Sequence, residues 1–127
     1  MAAPPNLLFL FSYQHSARVA GCYGDGLAHT PALDGLAAEG VTFDAAYCPS
    51  PLCTPSRMSA MTARQPHRTG VWGNQDVLHS GLPTFAHSLG AAGLDPVLIG
   101  RLHSLGPDQH LGYADREVGD HHPNWLG

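Results

Sequence analysis

The densest chemistry in the chain lies in Pro51-Leu-Cys-Thr-Pro-Ser-Arg57 and its continuation Met-Ser-Ala-Met-Thr-Ala-Arg64. Pro55 marks a helix start, which puts Cys53 at or just before the first turn. Backbone N–H groups there lack partners within the helix, and the dipole favours negative charge. Arg57 follows four residues later, so its guanidinium projects near the same end. A nucleophile and a planar cation beside such a terminus suit a tetrahedral oxyanion, sulfate or phosphate. The competing reading is a buried structural cysteine next to a surface arginine, because free cysteine is often simply buried. Spacing alone leaves both open.

Other candidates carry less. The chain has nine histidines, but His15, His29, His67 and His79 follow no ligand spacing. Cys48 and Cys53 stand further apart than a zinc knuckle requires, and no second pair follows. Arg64, His67 and Arg68 form a small basic patch after the cysteine segment, read as a solvated face. Asp120-His121-His122 reads as a polar tail, since adjacent residues do not readily converge on one ion. Trp72 and Trp125 are expected to pack.

The elements that must position these residues alternate. Asn6 to Phe11 is an apolar run after two prolines, the pattern of a strand buried on both faces. Thr30-Pro31 suits a helix start, Leu33, Leu36 and Ala37 share one face, and Gly40 suits the stop. Val41 to Tyr47 alternates apolar and polar residues and predicts a second strand. A short helix is expected from Pro55 to about Ala63, and another from Pro83 to Ala92, closed by Gly93. Asp95 to Ile99 predicts a third strand, with proline near its start. No element is expected after Gly100. Strands separated by helices imply a parallel α/β sheet, whose sites gather past the carboxyl ends of the strands. That picks out Ser12 to His15 and Arg101 to His103.

Length and composition narrow the partners. The 127 residues fit one domain, and 43% hydrophobic content suffices for a core. A net charge of −4 with six Lys+Arg excludes a nucleic-acid binder, which needs a basic stripe. Leu7 to Phe11 is far shorter than the roughly 20 residues of a membrane span and lacks a signal-peptide pattern. No membrane partner is expected, and the expected compartment is the cytoplasm. Three cysteines cannot all pair, which disfavours a disulfide framework.

Cys53-Thr-Pro-Ser-Arg57 resembles the Cys-x-Pro-Ser-Arg signature of the sulfatase family, and Thr62-Ala63-Arg64 resembles its closing Thr-Gly-Arg. Asn6 to Gln14 is similar to the family's opening strand and metal loop. Gly21-Cys-Tyr-Gly24, Thr30-Pro-Ala-Leu-Asp34, Leu36-Ala-Ala-Glu-Gly40 and Leu82-Pro-Thr84 match family patterns in the same order. Gly100-Arg-Leu-His103 resembles the Gly-Lys-Trp-His segment. The likeness runs over roughly residues 6 to 105.

The resemblance implies an α/β fold, here part of an alkaline-phosphatase-like parallel sheet flanked by helices. It implies that residues 1–127 form the amino-terminal part of a single, incomplete sulfatase domain, family members being several times longer. It further implies that a formylglycine-generating enzyme oxidises Cys53 to formylglycine. One hydroxyl of its hydrate attacks the sulfur of a small-molecule sulfate ester, and the other helps eliminate sulfate. Arg57 would steady the formylglycine and the metal-side oxygens. Arg101 falls at a substrate-binding lysine, and His103 at a proton-relaying histidine. A divalent cation, calcium or magnesium, would polarise the sulfate oxygens, with Gln14 and the modified Cys53 among its ligands.

Two departures matter. Tyr13-Gln14 stands where the family has Asp-Asp or Asp-Gln, and a phenol is uncharged at neutral pH. Tyr13 is therefore expected to be a half-buried aromatic that does not bind metal. The family's remaining metal ligands lie far downstream, and nothing after Gly106 resembles that segment. The expected function is sulfuric ester hydrolysis. The alternatives are a phosphonate or phosphate-ester hydrolase of the same superfamily and a catalytically inactive fragment.

Overall fold

A computed structural model describes residues 5–12 and 14–118. The chain divides into two compact units, Leu7–Tyr47 and a second made of Met1–Asn6 with Cys48–Gly127.

In the Leu7–Tyr47 unit, the only α-helix among the described residues is α1, Pro31–Glu39, with Thr30 before it and Gly40 after it, as expected. Two short 3-10 turns precede it, Ala17–Val19 and Gly21–Tyr23. Thr30 does not cap α1 with its side chain. Its Oγ1 accepts from Gly21 N at 2.8 Å and donates to Asp34 Oδ1 at 3.1 Å. The chain comes so close here that a Cβ at Gly21 would lie 2.7 Å from Asp34 Oδ2. Any larger residue there would have to push the Asp34 carboxylate aside and disturb its bond to Thr30.

The two strands expected in this unit are absent: neither residues 6–11 nor residues 41–47 form a strand. Leu8 is 80% exposed and Val41 79%. A strand is a relation between two segments, and an apolar pattern supplies only one of them. The rings of Phe9 and Phe11 stack with centroids 5.8 Å apart, as neighbours two residues apart on one side can. Leu33, Leu36 and Ala37 do share a face. With Val41 and Phe43 they line an open groove of about 370 Å³.

The second unit carries the core. Helix α2 spans Cys53–Thr62, beginning two residues before the expected start at Pro55. Pro55 then occupies the third helical position, where its missing N–H costs nothing because first-turn N–H groups have no intrahelical partner. Ala63 ends the helix in a left-handed conformation, φ 53°, its N–H returning to Ser59 O. A four-residue helix α3, Pro66–Thr69, follows and was not expected. Helix α4, Phe85–Ala91, lies within the range predicted for it, capped reciprocally by Thr84 and His87.

Strand β1, Val97–Ile99, pairs in parallel with β2, Asp115–Val118, with an irregularity after Leu98. The polar sequence Asp115-Arg-Glu gives β2 no apolar signature, and pairing with β1 alone makes it a strand. Met58, Met61, Val71, Leu78, Leu102 and Leu111 form the buried cluster, with Leu82, Phe85, Leu98 and Tyr113 packed against it. Phe85 and Tyr113 meet edge-on at 6.3 Å. Trp72, expected to pack, is 63% exposed; Trp125 lies outside the described residues. Among those residues no helix is long and apolar enough to cross a membrane.

Candidate active site

Cys53 is the first residue of α2 and is half-buried. The sequence suggested a row of free amides beside it. The structure corrects this in part. Thr54 N–H donates to Asn74 Oδ1 at 3.0 Å, Pro55 has no N–H, and Ser56 N–H already bonds to Leu52 O at 3.0 Å. Anion binding at this end must therefore rest more on side-chain cations and the dipole than on a cradle of amides.

Those cations are present. Arg57 is only 6% exposed, and its Nη1 donates to Arg101 O at 2.8 Å. Arg101 lies just past the carboxyl end of β1, after Gly100 with φ 115°. Its Nη2 lies 3.3 Å from His103 Nδ1. A guanidinium can only donate, so Nδ1 accepts and Nε2 carries the ring proton. His103 is buried and left-handed, φ 55°, and its carbonyl lies 3.4 Å from Thr54 Oγ1. Two links, Thr54 to His103 and Arg57 to Arg101, thus fasten the first turn of α2 to the loop after β1. They bring Cys53, Arg57, Arg101 and His103 to one end of the helix.

Asn74 is the residue that sequence reasoning missed. It reaches back 20 residues to hold Thr54, whose hydroxyl also lies 3.5 Å from Asn74 O. No spacing rule points to a link of that length. Its loop is fastened by Asp76, whose Oδ2 accepts from Trp72 N at 2.7 Å and Gly73 N at 2.8 Å. Those two bonds, Trp72's first, hold the Asp76 carboxyl below its ordinary 3.8. A depressed folded value contributes stability above the unfolded value, lost as pH falls through the folded one. Amide exchange at Trp72 and Gly73, relative to the unprotected rate at the same pH, should therefore speed up below about pH 4. In Asp76→Asn it should already be fast at neutral pH and show no such step. Equal protection in the two proteins would show that the carboxylate does not hold the loop.

Metal ligands are another matter. Gln14 belongs to the Leu7–Tyr47 unit, with φ 58°. Tyr13 and Asp120-His121-His122 lie outside the described residues. Among the described residues no three of His, Cys, Asp and Glu are placed to hold an ion. The charged side chains gathered at the start of α2 are arginines, which repel a cation. The residues in view do not fit a calcium or magnesium site.

Comparisons with known proteins point to one family. The sulfatase family model matches residues 5–120. The chain is 38% identical over 126 residues to choline-sulfatase of Rhizobium meliloti, covering 97% of this chain and 24% of that protein. It is 39% identical over 115 residues to human arylsulfatase A, covering 85% of this chain and 23% of that one. A solved structure from Bacteroides thetaiotaomicron, assigned to the sulfatases, superposes with a TM-score of 0.68 at 30% identity. It covers 77% of this chain and 22% of that structure. The chain thus spans about a quarter of the length of these relatives. Its fold is α/β, mixed helices with a small parallel sheet, like part of the alkaline-phosphatase-like architecture. With a family match over nearly all of its described length and the Cys53–Arg57 signature opening α2, the chain belongs to the sulfatase family.

Proposed function

We propose that this chain is the amino-terminal, nucleophile-bearing part of a sulfuric ester hydrolase, with Cys53 as the site of formylglycine formation. The observation that carries the reading is the fastening of the loop Arg101–His103 to the first turn of α2. It ties the loop that carries Arg101 and His103 to the helix turn that Cys53 opens. Once oxidised by a formylglycine-generating enzyme, Cys53 would supply a hydrated aldehyde oxygen as the nucleophile.

The chain's own residues do the rest. Arg57 and Arg101 offer N–H donors and positive charge to the oxygens of a small-molecule sulfate ester. As the sulfur–oxygen bond to the alcohol breaks, its electron pair stays on the alcohol oxygen. The proton of the attacking hydroxyl ends on that oxygen, and His103 Nε2–H can hydrogen-bond the oxygens between which it moves. No step is written through a divalent metal, because the described residues do not build its site. Cys22, Cys48 and Cys53 form no disulfide among the described residues, and such cysteines suit a reducing compartment such as the cytoplasm.

Co-expression with a formylglycine-generating enzyme tests the assignment. Intact mass spectrometry should show the thiol of Cys53 replaced by an aldehyde, detectable with a hydrazide probe. Cys53→Ala should give no adduct, and Cys22→Ala and Cys48→Ala should leave it unchanged. A Cys53 that stays a thiol would overturn the assignment.

A further inference from the structure

The other end of α2 carries a second cluster of charge. Ala63 turns the chain through its left-handed conformation, and α3 begins at Pro66. Pro66 and Thr69 are buried, with Thr69 Oγ1 donating to Pro66 O and accepting from Val71 N. Anchoring both ends of this short helix turns the middle pair, His67 and Arg68, outward. Together with Arg64 they line an open notch of about 580 Å³, whose other walls are Ala63 and Gln65. None of these three side chains has a hydrogen-bond or ion-pair partner among the described residues. One cation would complement the negative end of the α2 dipole. Two guanidiniums and an imidazole around one concavity exceed that need, in a chain whose net charge is −4.

We propose that this notch is a second oxyanion site, taking a sulfate group of a substrate that carries several. The proposal rests on the reading of Cys53 above and extends it to the class of substrate. Planar guanidiniums present paired N–H donors to tetrahedral oxyanions. The ten residues of α2 place the notch about 15 Å from Cys53 along the helix. A single sulfate ester cannot span that distance. A linear polysulfated chain can, with one sulfate at Cys53 and another at Arg64 and Arg68.

The test uses the full 127-residue chain and its Cys53→Ala variant, with dextran sulfate as probe, by calorimetry at fixed low salt. Arg64→Gln/Arg68→Gln should bind the polymer about tenfold more weakly, the loss of roughly one charge-assisted contact. Its affinity should also depend less steeply on salt. Arg18→Gln, an exposed arginine elsewhere, should bind like wild type, and uncharged dextran should not bind. The loss on Arg64→Gln/Arg68→Gln should be the same in the wild-type and Cys53→Ala backgrounds, so failure of the formylglycine reading and failure of the notch are seen separately. Unchanged affinity in Arg64→Gln/Arg68→Gln would overturn the proposal. So would an equal loss in Arg18→Gln, which would mean attraction to net charge and no defined site.

Discussion

Arg57→Ala is expected to destabilise the unit holding α2 by about 3 kcal/mol, the scale of deleting a buried side chain and its hydrogen bonds. Arg57 is 6% exposed, so its aliphatic stem fills interior space, and its guanidinium is the donor to Arg101 O. Alanine would leave a cavity and a carbonyl deprived of that donor. The damage should be local first. Freed from α2, the Arg101–His103 loop should lose amide protection ahead of the helix. Arg57→Lys, which keeps the charge and loses the planar fork, should fall between the two. Urea denaturation gives the total, and hydrogen exchange gives the order. A wild-type midpoint for Arg57→Ala would refute the placement of Arg57 as the strut between helix and loop.

That strut also shows what the sequence could reveal and what it could not. Helix α2 was legible because proline, the short polar residues and the signature all act within one or two turns, where local rules operate. The same holds for α1 between Thr30 and Gly40. The place of Arg101 and His103 past the end of β1 was legible too, through the expected third strand, whereas Ser12 to His15, picked out by the same rule, follows no strand. The failures share one cause. Leu7 to Phe11 and Val41 to Tyr47 have the composition of strands but no pairing in the structure, whereas Asp115 to Val118 lacks the composition and does pair. Pairing depends on a distant partner, which period and propensity do not encode. The Asn74 to Thr54 bond spans 20 residues and escaped for the same reason. The expectation of free amides at Cys53 failed because it treated the helix end alone, without the loop that folds over it. Arg64, His67 and Arg68 read as a solvated face because sequence shows that they are basic but not that they surround one notch.

Calcium and magnesium are expected to bind this chain no more tightly than about millimolar, the weak end of natural oxygen-ligand sites. The reason is electrostatic. Hard cations need several oxygens, carboxylates above all, yet among the described residues no three of His, Cys, Asp and Glu come together. The groups fastened at the start of α2 are Arg57 and Arg101, and each raises the cost of bringing a dication there. Gln14 alone offers one neutral oxygen, and a phenol at Tyr13 adds no charge at neutral pH. Charge stabilisation of this kind is often the largest catalytic contribution in transfer from an oxyanion ester. The purified chain, with Cys53 converted, should therefore hydrolyse an aryl sulfate no faster than Cys53→Ala. Tyr13→Asp should leave that unchanged, because one carboxylate does not make a dication site. Adding the rest of a sulfatase domain to Tyr13→Asp should raise both calcium affinity and Cys53-dependent turnover. Calorimetry and a chromogenic sulfate assay read the two quantities independently. Micromolar calcium binding by the 127-residue chain, or turnover lost on Cys53→Ala, would show that its own residues complete a metal site after all.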